Sequence, residues 1–364
     1  MLFKYVASRD RSWLAGWSGM VWSGMVWDGL VWDGLVWPVQ CLGGSPISSF
    51  VAPPFQPSAP LIYNLCVMPT ESTIMLTITP RAEDVEGQPI LRPLPAAQCR
   101  SVGPFVFFDH MLEMQYAPGT GMDIRQHPHI GLSTLTYLFE GEIRHKDSLG
   151  SDQLVRPGEV SWMTAGRAIA HIERTPDSLQ ASGSRLHGLQ VWLASPTSHE
   201  QGDGHYSHHA ADTLPLSDGM GIRIRLIAGE GFCLKSPVPV LSPTLYAELD
   251  LQTATTLRVP AEHEQRALYV IDGELLLDGE PVRPRSLVVL DTGSEPTLCA
   301  QSECHAVLIG GAPLDGPRRM SWNFVASDPA LIEQARAKWA AGDWPTVPGE
   351  VERIEWPVSS KRTR

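Results

Sequence analysis

Two short histidine-containing pairs are the residues of this chain best suited to chemistry. His127-Pro-His129 and His171-Ile-Glu173 each place two ligand-type side chains two residues apart. On a β-strand, side chains with this spacing project from the same face. If the two segments are facing strands of one β-structure, three imidazoles and one carboxylate point at a common site. The sequence therefore predicts a metal centre formed by His127, His129, His171 and Glu173.

The ligand types narrow the choice of metal. Three neutral imidazoles and one carboxylate suit a borderline divalent transition metal and leave coordination positions open. An all-oxygen calcium or magnesium site is excluded by these ligands, and a structural zinc site is usually closed and rich in cysteine. We therefore expect iron, as Fe²⁺ or Fe³⁺, with another divalent transition metal as the alternative. Glu173 is the expected catalytic residue, because a carboxylate that loosens from the metal can take a proton from an enol or phenol.

The elements that must position these residues are β-strands. From Leu76 onward, short apolar runs are interrupted by the glycines and prolines that are abundant in this chain, which is typical of antiparallel sheets. The segment 137–143, YLFEGEI, is echoed by 269–275, YVIDGEL. This internal repeat predicts two copies of one unit. The expected fold class is all-β, with two tandem barrels and a C-terminal helix.

The second copy lacks the metal-ligand set. Counting from the aligned tyrosines and prolines, apolar residues take the places of the four predicted ligands: Val259, Ala261, Leu298 and Ala300. The metal site is therefore expected in the first copy alone, and the second copy is expected to be structural.

The pattern of runs and turns predicts a division of the chain. An N-terminal metal-binding barrel is expected over 76–195 and a degenerate barrel with the helix over 221–347. The polar, histidine-containing segment 196–220 is predicted to be a linker, and 348–364 a tail. Residues 1–70 are predicted to be a disordered extension outside the working protein.

That extension contains a tryptophan repeat. Residues 17–37 read WSGMV twice, then WDGLV twice, then Trp37. Residues five apart do not share one face of a helix, and on a strand they alternate between the two faces. Translation of a tandem duplication ahead of the true start, at Met68 or Met75, is the favoured interpretation. A membrane-surface or partner-binding segment and a secretory signal are the alternatives.

One helix is predicted near the C-terminus. Asp328 can cap it, Pro329 suits the first helical position, and Gly342 can end it. The apolar stripe between them is expected to pack on a barrel: Leu331, Ile332, Ala335 and Trp339.

The composition excludes several classes of partner. The formal net charge is −12, with no basic cluster outside the last residues, so neither nucleic acid nor an anionic membrane surface is an expected partner. No apolar run has the length that a bilayer requires. The six cysteines follow no disulfide framework, and we expect them reduced in the cytoplasm.

The segment 121–176 resembles the pirin family of the cupin superfamily. The motifs that carry the resemblance are His127-Pro-His129-Ile-Gly131, Thr136-Tyr137, Glu140-Gly141, Pro157-Gly158, Trp162-Met-Thr-Ala-Gly166 and His171-Ile-Glu173. Phe107-Phe-Asp-His-Met111, His187-Gly-Leu-Gln190 and Trp322-Asn-Phe324 extend it toward both ends of 76–347.

The resemblance implies a monomeric bicupin with iron bound by the four predicted ligands. It also implies one of two functions. The first is that of a dioxygenase similar to quercetin 2,3-dioxygenase, which opens a flavonol with O₂ and releases carbon monoxide. The alternative is an iron- and redox-dependent regulator that binds a transcription factor or a metabolic enzyme. The expected partners are accordingly a flavonol-like substrate and O₂, or a protein.

Overall fold

The computed structural model describes residues 73–357. The tryptophan repeat and the rest of the predicted extension 1–70 lie outside the described residues, as does the end of the predicted tail beyond residue 357. Within the described range, no helix is both long and apolar enough to cross a bilayer. The cysteines of that range, Cys99, Cys233, Cys299 and Cys304, are all free thiols.

The N-terminal half consists of two antiparallel sheets. Its elements are β2 (Arg81–Val85), β3 (Gln88–Leu94), β4 (Phe105–Tyr116), β5 (Asp123–His129), β6 (Leu132–Glu140), β7 (Ile143–Asp147), β8 (Asp152–Val155), β9 (Val160–Thr164), β10 (Ile169–Arg174), α1 (Asp177–Ser182), β11 (Ser184–Ala194) and β12 (His205–His209). The larger sheet has the order β12-β9-β6-β11-β4-β3-β2, and the smaller has the order β5-β10-β7-β8.

The C-terminal half repeats this arrangement. After a 3₁₀ turn at Ala211–Thr213, its strands are β13 (Leu216–Gly219), β14 (Ile222–Gly231), β15 (Leu234–Lys235), β16 (Thr244–Leu251), β17 (Thr256–Arg258), β18 (Gln265–Asp272), β19 (Leu275–Leu277), β20 (Glu280–Val282), β21 (Leu287–Leu290), β22 (Thr297–Ala300) and β23 (Cys304–Gly311). β1 (Ile74–Ile78) joins the larger sheet, in the order β1-β21-β18-β23-β16-β14-β13, and the smaller sheet has the order β17-β22-β19-β20. The predicted all-β class is confirmed.

The hydrophobic cores follow from these sheets. The two larger sheets pack on each other through a shared core that includes Phe108 and Tyr137 from one half and Tyr246 and Tyr269 from the other. Each half also has its own core between its larger and smaller sheets. The core of the second half is built almost entirely from aliphatic side chains. The interior of the first half instead contains buried polar side chains, including His127 and His171.

Two segments take part in the sheets in ways that the sequence does not predict. In the segment 196–220, β12 pairs with β9 and β13 pairs with β14, so the predicted linker adds an edge strand to each of the two larger sheets. An edge strand leaves one row of its backbone groups exposed, and polar side chains are tolerated there, which hides such strands from a hydrophobicity pattern. β1 pairs with β21 of the C-terminal half although it precedes the N-terminal half in sequence. The exact domain boundaries given above stay a prediction.

The predicted C-terminal helix is confirmed as α2 (Pro329–Ala341), which follows the short hairpin of β24 (Arg319–Ser321) and β25 (Phe324–Ala326). The Asp328 carboxylate accepts a hydrogen bond from the backbone N–H of Ala330 at 2.8 Å, and Gly342 ends the helix in the left-handed conformation. Trp339 lies in the same buried cluster as Ile172 of β10. The helix therefore covers the N-terminal half, although it follows the C-terminal half in sequence.

The strand register changes one detail of the internal repeat. Counting along the sequence places Leu298 where the first half has His171. In the sheets, however, Leu298 pairs with Leu277 as Glu173 pairs with His145, eight residues after the aligned tyrosine in each case. The correspondence is thus displaced by two residues. Leu298 then takes the place of Glu173, and Pro296 takes the place of His171; both are apolar and buried.

Candidate metal centre

β5 and β10 bring the predicted histidines together as neighbouring strands. They are antiparallel, with His127 directly opposite His171 and His129 opposite Ile169. β5 is an edge strand of its sheet, so Pro128, which has no N–H to donate, is tolerated there. The side chains on the other face of β10, Ala170 and Ile172, pack in the core beneath α2. The alternation of β10 thus directs its histidine inward.

The three imidazoles form one compact group. Their nitrogens include a set that lies within 4.8 Å of one another. The ring centroids of His127 and His171 are 4.2 Å apart, those of His129 and His171 are 4.9 Å apart, and those of His127 and His129 are 5.1 Å apart. All three side chains are buried. This is the geometry expected if three imidazoles share one ion.

The hydrogen bonds of these rings leave nitrogens available. His127 donates from Nδ1 to the carbonyl oxygen of Arg125 at 2.8 Å, which directs the lone pair of Nε2 elsewhere. Both ring nitrogens of His129 and Nε2 of His171 are buried and have no hydrogen-bond partner among the described residues. A buried polar atom without a partner costs free energy, which a bound cation would recover. The donor set therefore fits a metal ion.

The electrostatics favour neutral imidazoles, the form that binds metal. Burial lowers the pKa of His129 and His171 well below the usual histidine value, and neighbouring imidazoles lower both further. Burial also lowers the pKa of His127, although the charge of Glu173 opposes this shift. Protonation of any of the three would place a charge in a desolvated site.

Glu173 lies beside this group but is not part of it. Its carboxylate accepts hydrogen bonds from Nε2 of Gln190 at 2.7 and 2.8 Å and from the hydroxyl of Thr136 at 3.1 Å. A β-bulge between His171 and Glu173 interrupts the register with β5. The structure thus brings three of the four predicted ligands together, and the ligand role of Glu173 stays a prediction.

Sequence reasoning missed a second pair behind His171. Nδ1 of His145 is 3.3 Å from Nδ1 of His171, and Nε2 of His145 is 3.2 Å from Oδ2 of Asp147. The ring of His145 stacks on Tyr206, with centroids 4.4 Å apart and planes inclined by 13°. His145-Lys-Asp147 has the same i, i+2 spacing as the predicted ligand pairs, and that spacing is the signal that could have identified it.

Aromatic and ionic groups form the wall beyond His129. Trp192 presents its ring edge-on to His129 at 5.2 Å and stacks on Phe107 at 3.8 Å. The guanidinium of Arg92 lies over Phe107 and makes two hydrogen bonds, of 2.6 and 2.7 Å, to the carboxylate of Asp109. This stacking restricts the rings that border the histidine group.

Comparisons with known proteins agree with this arrangement. Residues 87–193 match the Pirin family model, and residues 246–345 match the model of the Pirin C-terminal cupin domain. A pirin-like protein of Caulobacter vibrioides is 44% identical over 272 residues, which cover 74% of this chain and 94% of that protein. The chain belongs to the pirin family.

Other relatives of this pirin are described as enzymes. A Pseudomonas aeruginosa protein provisionally named quercetin 2,3-dioxygenase is 34% identical over 274 residues, covering 74% of this chain and 85% of that protein. A crystal structure described as quercetin 2,3-dioxygenase from Acinetobacter baumannii is 33% identical, with a TM-score of 0.74, and covers 80% of this chain and 97% of that one. The predicted family and the two cupin domains of the predicted fold are thereby confirmed.

Proposed function

We propose that this pirin is a metal-dependent dioxygenase that opens a flavonol-like enol with O₂ and releases carbon monoxide. The observation that carries the proposal is a buried group of three imidazoles with unpartnered nitrogens beside a carboxylate. The dioxygenase names of the Pseudomonas and Acinetobacter relatives support the same activity. His127, His129 and His171 are the proposed metal ligands, and Glu173 is both the fourth proposed ligand and the catalytic residue.

Iron is the metal we propose, with another divalent transition metal as the alternative. Neutral imidazole binds several ions of this class, and no thiolate of the described residues belongs to the histidine group. When bound, the ion supplies Lewis acidity, which stabilises the negative charge of a deprotonated substrate oxygen.

The side chains around the ion have separate roles in this proposal. Glu173 takes the proton of the substrate hydroxyl, and the bonds from Gln190 and Thr136 hold its carboxylate in one orientation. Apolar side chains border the carboxylate, among them Met111 and Met122. They exclude water from the charge that develops on the substrate.

The cavity beside Glu173 is too small for a flavonol in this structure. The cavity lined by Glu173, Gln190 and their apolar neighbours has a volume of about 20 Å³. This holds about one water molecule, whereas drug-sized ligands occupy pockets of about 300–1,000 Å³. Turnover of a flavonol therefore requires the lining to open. Met111 and Met122 suit such a movement, because methionine is unbranched and flexible.

The same small cavity favours a second candidate function. A regulatory protein that responds to iron or to its oxidation state needs the histidine group but no substrate cavity. In that case the proposed ligand is a protein, such as a transcription factor or a metabolic enzyme. Identical sets of bound proteins under oxidising and reducing conditions would count against this regulator.

A turnover assay separates the two candidates. The full chain is loaded with Fe²⁺, its metal content is measured, and the absorbance of quercetin and the release of carbon monoxide are followed under O₂. The dioxygenase proposal predicts metal-dependent loss of flavonol and formation of carbon monoxide. A fully loaded protein that leaves quercetin intact would refute the dioxygenase proposal for this substrate.

The substitution Glu173→Gln tests the base directly. Gln preserves the size of the side chain but cannot accept the proton, so turnover should fall by about 10²- to 10⁴-fold. The melting temperature should change little, and Glu142→Gln, at a partly exposed position of the same half, serves as a control for charge. Unchanged turnover in Glu173→Gln would exclude the base role.

A further inference from the structure

A buried chain of hydrogen bonds runs from His171 away from the candidate metal centre. His145, on β7, lies between His171 and Asp147, at 3.3 Å from the first and 3.2 Å from the second. His145 and Asp147 are buried, and the Asp147 side chain is fully enclosed. Neither residue belongs to the three-histidine group. Any effect of these two residues on the group therefore passes through His171.

For a neutral His145, the donors and acceptors along this chain can be assigned in one direction. Oδ1 of Asp147 accepts hydrogen bonds from the backbone N–H groups of Leu149 and Ser151, at 2.8 and 3.0 Å. Oδ2 faces Nε2 of His145, which must carry a hydrogen because a carboxylate accepts. Nδ1 of neutral His145 is then an acceptor, so the hydrogen of the next bond belongs to Nδ1 of His171. Nε2 of His171 is left with its lone pair.

That nitrogen is also buried and has no hydrogen-bond partner among the described residues. We propose that His145 and Asp147 are positioning residues that fix His171 in the Nδ1–H tautomer, so that its Nε2 is available to a metal ion. The inference rests on the proposed metal centre. A carboxylate or carbonyl behind a ligand histidine orients such rings in general, and its loss typically weakens metal binding by about 10- to 100-fold.

The other two histidines are oriented differently. His127 donates from Nδ1 to the backbone carbonyl of Arg125, a partner that no side-chain substitution removes. His129 lies against the ring edge of Trp192 and the imidazoles of His127 and His171, with the backbone of Asn323 nearby, and no side chain of the described residues accepts or donates a hydrogen bond to it. His171 is thus the ring of the group whose tautomer depends on other side chains.

β12 holds His145 in place. Tyr206, on β12, stacks on the His145 ring, and β12 is anchored by its pairing with β9. A packing role for His145 is therefore the competing explanation, and the test must separate packing from hydrogen bonding.

Three substitutions make that separation. Asp147→Asn keeps an oxygen for the backbone N–H groups of Leu149 and Ser151 but presents an N–H₂ donor to His145. His145 would then adopt the other tautomer, which requires Nδ1 of His171 to accept and blocks Nε2 with a hydrogen. His145→Leu removes the acceptor. His145→Gln keeps both an acceptor for His171 and a donor for Asp147.

The affinity for Ni²⁺ is measured by isothermal titration calorimetry on the metal-free full chain. Asp147→Asn and His145→Leu should weaken binding by about 10- to 100-fold, and His145→Gln should recover most of that loss. Asp152→Asn, on the exposed face of the same hairpin, controls for the change in charge and should bind Ni²⁺ as the wild type does. Equal affinity in Asp147→Asn and wild type would overturn the inference, as would a His145→Gln variant as weak as His145→Leu.

A second readout needs no metal. Nitrogen-15 correlation spectra of histidine-labelled, metal-free protein report the tautomer of each ring. The expected result is Nδ1–H for His171 and Nε2–H for His145 in the wild type, with both reversed in Asp147→Asn. An Nε2–H tautomer of His171 in the wild type would overturn the inference. A wild type that has the expected tautomers but binds no Ni²⁺ would instead count against the proposed metal centre.

Discussion

Glu173 is the residue on which the proposed chemistry depends, and its carboxylate is held by protein groups. Gln190 bonds to both of its oxygens, and Thr136 adds a third bond. A base held in this way loses little conformational freedom when a substrate arrives. A misplaced base is costly, since a displacement of about 1 Å can reduce a rate by about 10²-fold.

Gln190→Leu therefore tests whether the orientation of Glu173 matters. Leucine has nearly the same volume but cannot donate a hydrogen bond, so the carboxylate would lose the bonds to both oxygens. Turnover of the metal-loaded enzyme should fall by about 10- to 100-fold while its metal content is maintained. Gln115→Leu, an exposed glutamine of the same sheet, is the matched control. Wild-type turnover in Gln190→Leu would show that the orientation of Glu173 does not depend on this residue.

The sequence predicts that the three histidines lie together, but it does not predict the hydrogen bonds that hold the glutamate. The i, i+2 spacing identifies His127, His129 and His171, because strand alternation is a local property. The capture of Glu173 depends on Gln190 of β11, on a different sheet, and on a bulge in the register of β10. Neither the contact with Gln190 nor the bulge can be predicted from the local sequence pattern. The same limit applies to Tyr206, which reaches His145 from β12.

Strand β5 contains two of the three histidines of the group. Gly131 lies two residues beyond the end of this strand, with φ at +65°, and a Cβ there would lie 2.0 Å from the carbonyl oxygen of Val325. The close contact with β25 thus requires glycine. The sequence predicts α2 from its caps and stripe, which are local signals. It does not predict that β25 and α2 return to cover β5 and β10, because that contact joins segments at least 150 residues apart in the sequence.

Gly131→Ala should consequently displace β5. Alanine in a left-handed conformation costs about 1–2 kcal/mol, and an overpacked contact adds about 1–3 kcal/mol. Gly293→Ala is the matched control, because Gly293 also has a positive φ, at +75°, but its Cβ would meet no atom within 4 Å. Urea unfolding should therefore show a larger loss of stability for Gly131→Ala. The same variant should also bind Ni²⁺ more weakly, and equal losses in the two variants would contradict this role of β25.

The molecule as a whole is held together between its two halves by a core that contains a few polar groups. His110 is fully buried there, with Nδ1 3.0 Å from the hydroxyl of Tyr269 and Nε2 2.9 Å from Nε2 of His187. The internal repeat predicts two similar units. It does not predict how the two units pack on each other, because the residues between them are of the same types as those of any hydrophobic core. Burial lowers the pKa of His110 to about 3, and the nearby charges of His187, Arg285 and His305 lower it as well.

This shift predicts acid sensitivity with a definite sign. The pKa of an unfolded histidine is about 6.5, so between about pH 6.5 and pH 3 the unfolded chain binds a proton at this position that the folded chain does not. Stability should fall as the pH decreases through that window, by about 1.4 kcal/mol per pH unit from His110, and the buried histidines of the metal-free centre should add to the fall with the same sign.

His110→Gln can keep a hydrogen bond to Tyr269 but cannot be protonated. Denaturant unfolding of the metal-free variant between about pH 6 and pH 4 should show a slope smaller by about that amount, whereas His205→Gln, an exposed histidine, should leave the slope unchanged. An unchanged slope in His110→Gln would mean that protonation of the contact between the halves does not limit the acid stability of this pirin.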